Sequence, residues 1–211
     1  MIYNQIKELT NELNLSHLPS ALSQADIVEC LMPYLLTSKF KFICGKYWGA
    51  QSYFASYFNI TGIRVKNLRE LPFIFQQNLE SIGDILGFTA GVSLGSNQRT
   101  ICFISDAQLQ SGYVYEAMNF IIQHNLNISV LVDFNKLQVC DRVENIVSVN
   151  PFLKAYSEII EFCDGHNQKE IKKCLERNLN SKNPRIIIFN TIKGKGFKEL
   201  ENNTKVHYSR Q

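Results

Sequence analysis

Apolar runs alternate with amphipathic segments along the chain. Short apolar runs predict four β-strands, at residues 40–44, 100–104, 128–132 and 184–189. Apolar residues at helical spacing predict helices at residues 2–13, 22–36, 49–58, 81–96, 111–124, 149–163 and 168–178. Residues 62–72 are expected to be irregular, and residues 73–78 to form a turn of helix or a loop. The alternation predicts an α/β fold with a mostly parallel sheet and helices on both faces.

Two successive predicted strands end in oxygen-bearing side chains. The first is followed by Ser105-Asp106-Ala107, and the second by Asp133-Phe134-Asn135. In a parallel sheet the carboxyl ends of the strands line one edge, where ligands bind. A carboxylate and an amide oxygen suit a hard cation such as Mg²⁺. The alternative is that Asp106 and Asn135 are ordinary polar loop residues.

Small residues recur through the predicted helix at residues 81–96. Glycine is a poor helix former, so its recurrence in a helix needs a physical reason. The expected reason is close approach of the helix backbone to a neighbouring element or a ligand. A helix start at Ser81-Ile82-Gly83 would offer free N–H groups to an anion. The alternative is a tightly packed core helix without a ligand.

Composition and charge narrow the class of protein. The chain has 211 residues, 45% of them hydrophobic, which is enough for a single domain spanning residues 1–211. Its 22 Lys and Arg are scattered among 19 acidic residues, so no nucleic-acid partner is expected. No pair of the six cysteines has zinc-site spacing. There is no signal-peptide pattern and no long apolar span, so we expect no membrane contact and a cytoplasmic location.

Several motifs together resemble the N-terminal, diphosphate-binding domain of transketolase. The family pattern Gly-Asp-Gly followed by Asn appears here as Ser105-Asp106-Ala107 and Asn135. Further matches follow in the family order, at residues 109–117, 133–138, 164–166, 191–196 and 201–207. The resemblance implies a thiamine diphosphate-binding fold. It also implies thiamine diphosphate as cofactor, bridged to the protein by Mg²⁺ or Ca²⁺ through Asp106, Asn135 and the carbonyl of Leu137.

The resemblance also implies roles for individual side chains. The implied cofactor-binding set is Ser81, Ile82, Gly83, Asp106, Ala107, Asn135, Gln138, Lys193 and His207. The implied catalytic set is His17, His207 and Glu116, with Glu116 near a subunit interface. Each has a plainer alternative: a solvated loop lysine, a flexible tail histidine, a helix-entry histidine or a buried structural carboxylate. His124 and His166 are expected to be structural.

Departures from the family pattern put the substrate in doubt. Family histidines associated with the donor's hydroxyl groups are replaced by Lys46 and Leu71, and an unpaired hydroxyl costs about 1–3 kcal/mol. Ser111 stands where the family has a glutamate, which puts in doubt any proton link between paired sites. A family glutamine is Asp84, which brings a negative charge near the cofactor unless it faces away.

The resemblance covers one half of an enzyme. A full transketolase continues into a pyrimidine-binding domain, so a C-terminal transketolase-like subunit is the expected partner, in a heterotetramer. The implied reaction transfers a two-carbon ketol unit from a sugar or sugar-phosphate donor to an aldehyde or sugar acceptor. One alternative keeps the cofactor and uses a 2-oxo acid such as pyruvate for acyl transfer. Another is a catalytically degenerate scaffold or regulatory subunit.

Overall fold

In the described part of the chain, six parallel strands form one sheet, in the order β2-β1-β3-β4-β6-β5. The computed structural model describes residues 2–75, 82–139 and 141–209. The central strands are near-continuous apolar runs because helices cover both of their faces. The strands are β1 (Phe40–Cys44), β2 (Ile74–Phe75), β3 (Arg99–Ser105), β4 (Ile128–Phe134), β5 (Ile160–Asp164) and β6 (Arg185–Asn190).

Nine helices of the described residues surround this sheet. They are α1 (Ile2–Glu12), α2 (Leu18–Ser23), α3 (Ala25–Leu35), α4 (Ala50–Thr61), α5 (Asp84–Leu94), α6 (Gly112–Gln123), α7 (Val143–Ile146), α8 (Asn150–Ala155) and α9 (Gln168–Leu179). Short 3-10 turns lie at Tyr47–Gly49, Leu68–Glu70, Asp106–Gln110, Ser157–Ile159 and Thr204–Val206.

The two faces of the sheet carry separate cores. Successive residues of a strand point to opposite faces, so Phe42 of β1 joins the core beneath α3, α4 and α9, and Ile43 joins the core beneath α5, α6 and α8. A third, smaller cluster joins α1 to α2 through Ile6 and Leu22. This arrangement confirms the predicted helices on both faces.

Most predicted elements are present with shifted ends. The four predicted strands are β1, β3, β4 and β6. The helix predicted at residues 22–36 starts four residues earlier, at Leu18, and is interrupted at Gln24 between α2 and α3. In the described part of the chain, no helix has the length and apolar character needed to cross a bilayer.

Two predictions of secondary structure were wrong. Residues 149–163 do not form one helix, because α8 ends at Ala155 and the chain then enters the edge strand β5, paired with β6. Ile74 and Phe75 form the short strand β2, paired with β1, where a turn of helix or a loop was expected. Residues 76–78 of that segment lie outside the described residues.

Candidate functional site

The carboxyl edge of the sheet opens into a cleft of about 190 Å³. Four strand ends supply its polar floor, with Lys46 after β1, Asp106 after β3, Asn135 after β4 and Lys193 after β6. The cleft brings together nine of the residues predicted from the sequence: His17, Ile82, Asp106, Ala107, Asn135, Leu137, Gln138, Lys193 and His207.

Asp106 is a buried carboxylate held by backbone donors. Its Oδ1 accepts a hydrogen bond from the N–H of Ala107 at 2.8 Å, and its Oδ2 accepts one from the N–H of Lys136. Burial raises the pKa of Asp106 to about 6, although the two N–H groups and the charges of Lys46 and Lys193 act in the opposite direction. The carboxylate therefore lies beside the loop that carries Asn135.

The Asn135 side chain has a defined orientation. Its Nδ2 donates to Oγ of Ser23 at 3.2 Å and to Asp133 at 3.3 Å, and its Oδ1 accepts from the N–H of Leu137 at 3.0 Å. Lys136 between them has a left-handed φ of 65°, which turns the chain sharply after β4. The carbonyl oxygen of Leu137 lies 3.4 Å from Nζ of Lys193.

The donor set fits a hard divalent cation completed by a ligand. Asp106, Asn135 and the Leu137 carbonyl offer oxygen atoms only, which is the preference of Mg²⁺ and Ca²⁺. Within the described ranges, no three His, Cys, Asp or Glu side chains converge to hold a metal by themselves. A cation here therefore needs further oxygens, and Mg²⁺ commonly takes them from substrate phosphates.

Lys193, His207 and His17 form the cationic and imidazole wall of the cleft. Nζ of Lys193 lies 2.7 Å from Nδ1 of His207, whose ring meets the ring of His17 edge to face at 5.2 Å. Burial lowers the pKa of Lys193 to about 8, and burial with the charges of Lys193, His17 and Lys46 lowers that of His207 to about 4. Burial and the charge of Lys193 lower the pKa of His17 as well, so both imidazoles are neutral near pH 7.

Two charged residues beneath the cleft were not predicted as site residues. Lys46 is 2% exposed, and its ammonium is paired with Asp133, the fully buried residue two positions before Asn135. Burial lowers the pKa of Lys46, and the charge of Asp106 opposes that shift. Lys46 follows β1 directly after Gly45, so the strand-end rule that located Asp106 applies to Lys46 too.

Aromatic rings at the mouth of the cleft were also missed. Trp48 lies 6.4 Å from the ring of His17, and Tyr208 packs against both His17 and His207 at 4.9 and 4.8 Å between ring centroids. Neither residue follows a strand, and no motif in the sequence marks them.

The remaining predicted residues lie elsewhere. Glu116 is exposed and lines a groove of about 800 Å³ between α5 and α6, together with Asp84, which faces that groove and does not line the cleft. Gly83, at the start of α5, packs against Ser111, and Leu71 is buried in the core. Ser81 lies outside the described residues.

The fold and the cleft define a class of protein: parallel α/β domains that hold a ligand at the carboxyl ends of their strands. The family model described as "Transketolase, thiamine diphosphate binding domain" matches residues 90–210, which is more than half of the chain. The chain therefore belongs to this transketolase family, as the sequence motifs predicted.

Individual relatives agree with this assignment. The chain is 26% identical over 140 residues to one subunit of the apulose-4-phosphate transketolase of Actinobacillus succinogenes, covering 62% of this chain and 51% of that protein. It is 29% identical over 117 residues to 6-deoxy-6-sulfo-D-fructose transketolase subunit SqwG of Clostridium sp., covering 53% of this chain and 42% of that protein. The chain thus spans about half the length of these curated relatives.

A solved transketolase shows the same fold. The structure of transketolase from Campylobacter jejuni superimposes with a TM-score of 0.68 at 20% identity, covering 97% of this chain and 40% of that one. This likeness confirms the predicted α/β fold of the transketolase diphosphate-binding domain.

Proposed function

We propose that this chain is the N-terminal subunit of a heteromeric, transketolase-like enzyme that depends on thiamine diphosphate and Mg²⁺. Its reaction transfers a two-carbon ketol unit from a sugar or sugar-phosphate donor to an aldehyde or sugar acceptor. The observation that carries the proposal is the convergence of Asp106, Asn135 and the Leu137 carbonyl with Lys193 and His207 in one cleft.

The chain's own residues divide into three groups in this proposal. Asp106, Asn135 and Leu137 hold the cation, while the Lys193 ammonium and the His207 imidazole bind the diphosphate, whose charge needs both cations and N–H donors. Ile82, Ala107 and Gln138 line the same cleft and contact the cofactor. When bound, the cofactor supplies the carbanion chemistry that breaks and forms the C–C bond.

His17 is the proposed catalytic residue nearest the mouth of the cleft. It is a non-glycine residue in the left-handed region, with φ 65°, immediately before α2. Such strain persists where the surroundings enforce it, often at functional sites. Because its pKa is lowered, the neutral ring can both donate and accept a hydrogen bond from substrate hydroxyl groups, or carry a proton between them.

The groove between α5 and α6 is the proposed binding surface for a partner subunit. Leu94, Tyr113 and Phe120 line it and are 59%, 62% and 42% exposed, so three large apolar side chains face the open groove. Glu116 lies among them, where the resemblance expects a carboxylate near a subunit interface. The proposed partner is a C-terminal transketolase-like subunit, in a heterotetramer. The two relatives described above are themselves named as transketolase subunits.

Co-expression with a candidate C-terminal subunit tests the proposal. The purified complex should bind thiamine diphosphate only with Mg²⁺ in calorimetry and should transfer a ketol unit from ketose donors. Asp106→Ala should abolish the Mg²⁺-dependent part of the binding, and Glu176→Gln on the outer face of α9 should leave it unchanged. Absence of thiamine diphosphate binding by the reconstituted complex would contradict the proposal.

The two alternatives stay open. Of the two replacements that suggested a 2-oxo acid donor, Leu71 is 3% exposed in the core beneath α3 and α4 and does not line the cleft, whereas Lys46 does. A scaffold without catalytic function does not require a buried carboxylate, an amide and a lysine to converge on one cleft. Pyruvate turnover without ketose turnover by the complex would favour the first alternative.

A further inference from the structure

Asp133 connects three of the four strand ends that form the floor of the cleft, and it also contacts α2. It is fully buried in β4, and its carboxylate accepts hydrogen bonds from Ser23 at 2.7 and 2.8 Å and from Thr191. It also receives the ammonium of Lys46 and the Nδ2 of Asn135. These four donors come from α2, the loop after β1, the loop after β4 and the loop after β6.

The hydrogen-bond directions in this cluster are determined by its chemistry. The Ser23 hydroxyl gives its single proton to Asp133, so its oxygen is free to accept from Nδ2 of Asn135 at 3.2 Å. The nitrogen of the Asn135 amide therefore faces two acceptors on the interior side. Its oxygen must then face the other way, towards the N–H of Leu137 and the cleft.

An amide has two ends of similar shape and opposite polarity. If Asn135 turned over, its NH₂ group would face the cation position and repel the ion. Nothing in the shape of the side chain prevents this rotation, so the surrounding acceptors must decide it. Asp133 is the stronger of the two acceptors because it is charged.

Lys46 keeps Asp133 in the form that performs this task. A buried carboxylate without a partner is very costly and tends to take up a proton. The ammonium of Lys46 supplies the compensating charge, and the carbonyl of Ser20, 3.4 Å away, accepts a second bond from it. Lys46 and Asp133 thus form a buried ion pair in contact with Asn135.

We propose that Asp133 is a positioning residue that holds the Asn135 amide with its oxygen towards the bound cation, with Lys46 as its ion-pair partner. The inference rests on the proposed function, because it takes Asn135 as a cation ligand. Partners of metal ligands typically contribute about 10–100-fold to metal affinity.

Mn²⁺ binding tests the inference independently of turnover. The complex of the full chain with the partner subunit, with one equivalent of thiamine diphosphate, is titrated with Mn²⁺, and free Mn²⁺ is measured by electron paramagnetic resonance. We expect Asp133→Asn to weaken Mn²⁺ binding by about 10–100-fold, and Ser23→Ala to weaken it less. Asp164→Asn makes the same change at the end of the edge strand β5 and should leave the affinity unchanged.

A second pair of variants separates orientation from general support of the fold. Asn135→Asp replaces the amide by a carboxylate whose two oxygens are equivalent, so no orientation has to be selected. In that background, Asp133→Asn should no longer weaken Mn²⁺ binding. An equal loss in both backgrounds would overturn the inference.

The remaining outcomes are also decisive. If Asp133→Asn leaves Lys46 unpaired and the chain does not fold, the double variant Asp133→Asn with Lys46→Met removes both charges and takes its place. Mn²⁺ binding by these variants and by Ser23→Ala as tight as in the unaltered chain refutes the positioning role. Failure of the unaltered complex to retain Mn²⁺ refutes the proposed function instead.

Discussion

The pairing of Lys193 with His207 fixes the protonation of a single imidazole. An ammonium group can only donate, so Nδ1 of His207, 2.7 Å from Nζ, must accept. With the pKa of His207 near 4, the ring is neutral at pH 7 and carries its proton on Nε2. The sequence shows both residues, but only their contact assigns the proton.

Two substitutions of His207 distinguish its ring nitrogens. Gln places an amide donor near the position of Nε2, whereas Asn retains only an acceptor near Nδ1. We expect His207→Gln to bind thiamine diphosphate with Mg²⁺ nearly as well as the unaltered chain. His207→Asn should bind at least about tenfold more weakly, because a hydrogen bond to a charged group contributes about 1.5–3 kcal/mol. Calorimetry measures both, and equal affinities would contradict the assignment of Nε2–H as the donor.

Among the elements, α5 begins after Gly83, where the neighbouring Ser111 leaves no room for a side chain. Gly83 has φ 109°, and a Cβ there would lie 2.3 Å from Oγ of Ser111. The predicted close approach of backbone to a neighbouring element is therefore confirmed at this position. At Gly87 and Gly91 an added Cβ meets nothing within 4 Å, so these glycines face the open groove and no described residue of this chain approaches them closely.

Gly83 and Gly87 make a matched pair for substitution in one helix. Gly83→Ala should lower the free energy of unfolding by about 1–3 kcal/mol, since it combines backbone strain with a steric overlap. Gly87→Ala should raise it by up to about 1 kcal/mol through helix propensity. Urea unfolding followed by circular dichroism measures both values. A destabilised Gly87→Ala variant would show that the groove is closed in the free chain.

A buried carboxylate ties four distant segments together. Asp26 in α3 accepts hydrogen bonds from Tyr3 of α1 and from Nδ1 of His166, whose Nε2 in turn accepts from the N–H of Ile192 beside Lys193. Although burial acts to raise the pKa of Asp26, its hydrogen bonds to His166, Tyr3 and Gln168 lower it below the ordinary value. His166 is structural, as expected, and it supports the loop that carries Lys193.

The lowered pKa of Asp26 gives a defined pH dependence. Asp26→Asn should destabilise the chain by about 1–3 kcal/mol at pH 7. The stabilisation by the ionised carboxylate is complete above its ordinary pKa of 3.8 and is lost as pH falls through the lower folded value. The difference between the two proteins should therefore shrink below about pH 4. Thermal unfolding at several pH values measures it, with the exposed Glu8→Gln as control, and a constant difference would contradict the prediction.

The sequence predicted the central elements better than the edges of the sheet. β3 and β4 are continuous apolar runs, and their strand ends located Asp106 and Asn135. The sequence predicts the end of a helix where β5 lies, because this edge strand is half-exposed, with Phe162 57% exposed. Only its pairing with β6 distinguishes it from a helix. The sequence shows Asp133 near the end of a strand. Its role depends on Ser23, Lys46 and Thr191, which are distant in the sequence and meet its carboxylate only in the fold.

At the scale of the whole molecule, the cleft and the α5–α6 groove are two separate openings. Charged and imidazole groups line much of the cleft, whereas small and apolar residues line most of the groove, together with Asp84 and Glu116. The family resemblance implies that Glu116 lies near a subunit interface. Which subunit binds the groove also depends on the surface of that subunit, which the hydrophobic pattern of this chain does not describe.

A bulky charge in the groove should prevent assembly without unfolding the chain. Gly91→Arg introduces a side chain where a Cβ meets no neighbour, so we expect an unchanged or higher melting temperature. The variant should fail to co-purify with the partner subunit, as measured by sedimentation velocity. Glu176→Arg, exposed on α9 across the sheet, adds a similar charge and should assemble normally. Normal assembly of Gly91→Arg would place the subunit interface elsewhere.

The position of Trp48 gives the chain a built-in optical reporter. It is the only tryptophan in the sequence, and it lines the same cleft as His17 and Asp106. Indole emission responds to the polarity and the charges around the ring, so the tryptophan fluorescence of this protein originates from a residue at the proposed cofactor site. Filling of the cleft can therefore be followed in unlabelled protein, in real time, before any substrate is added.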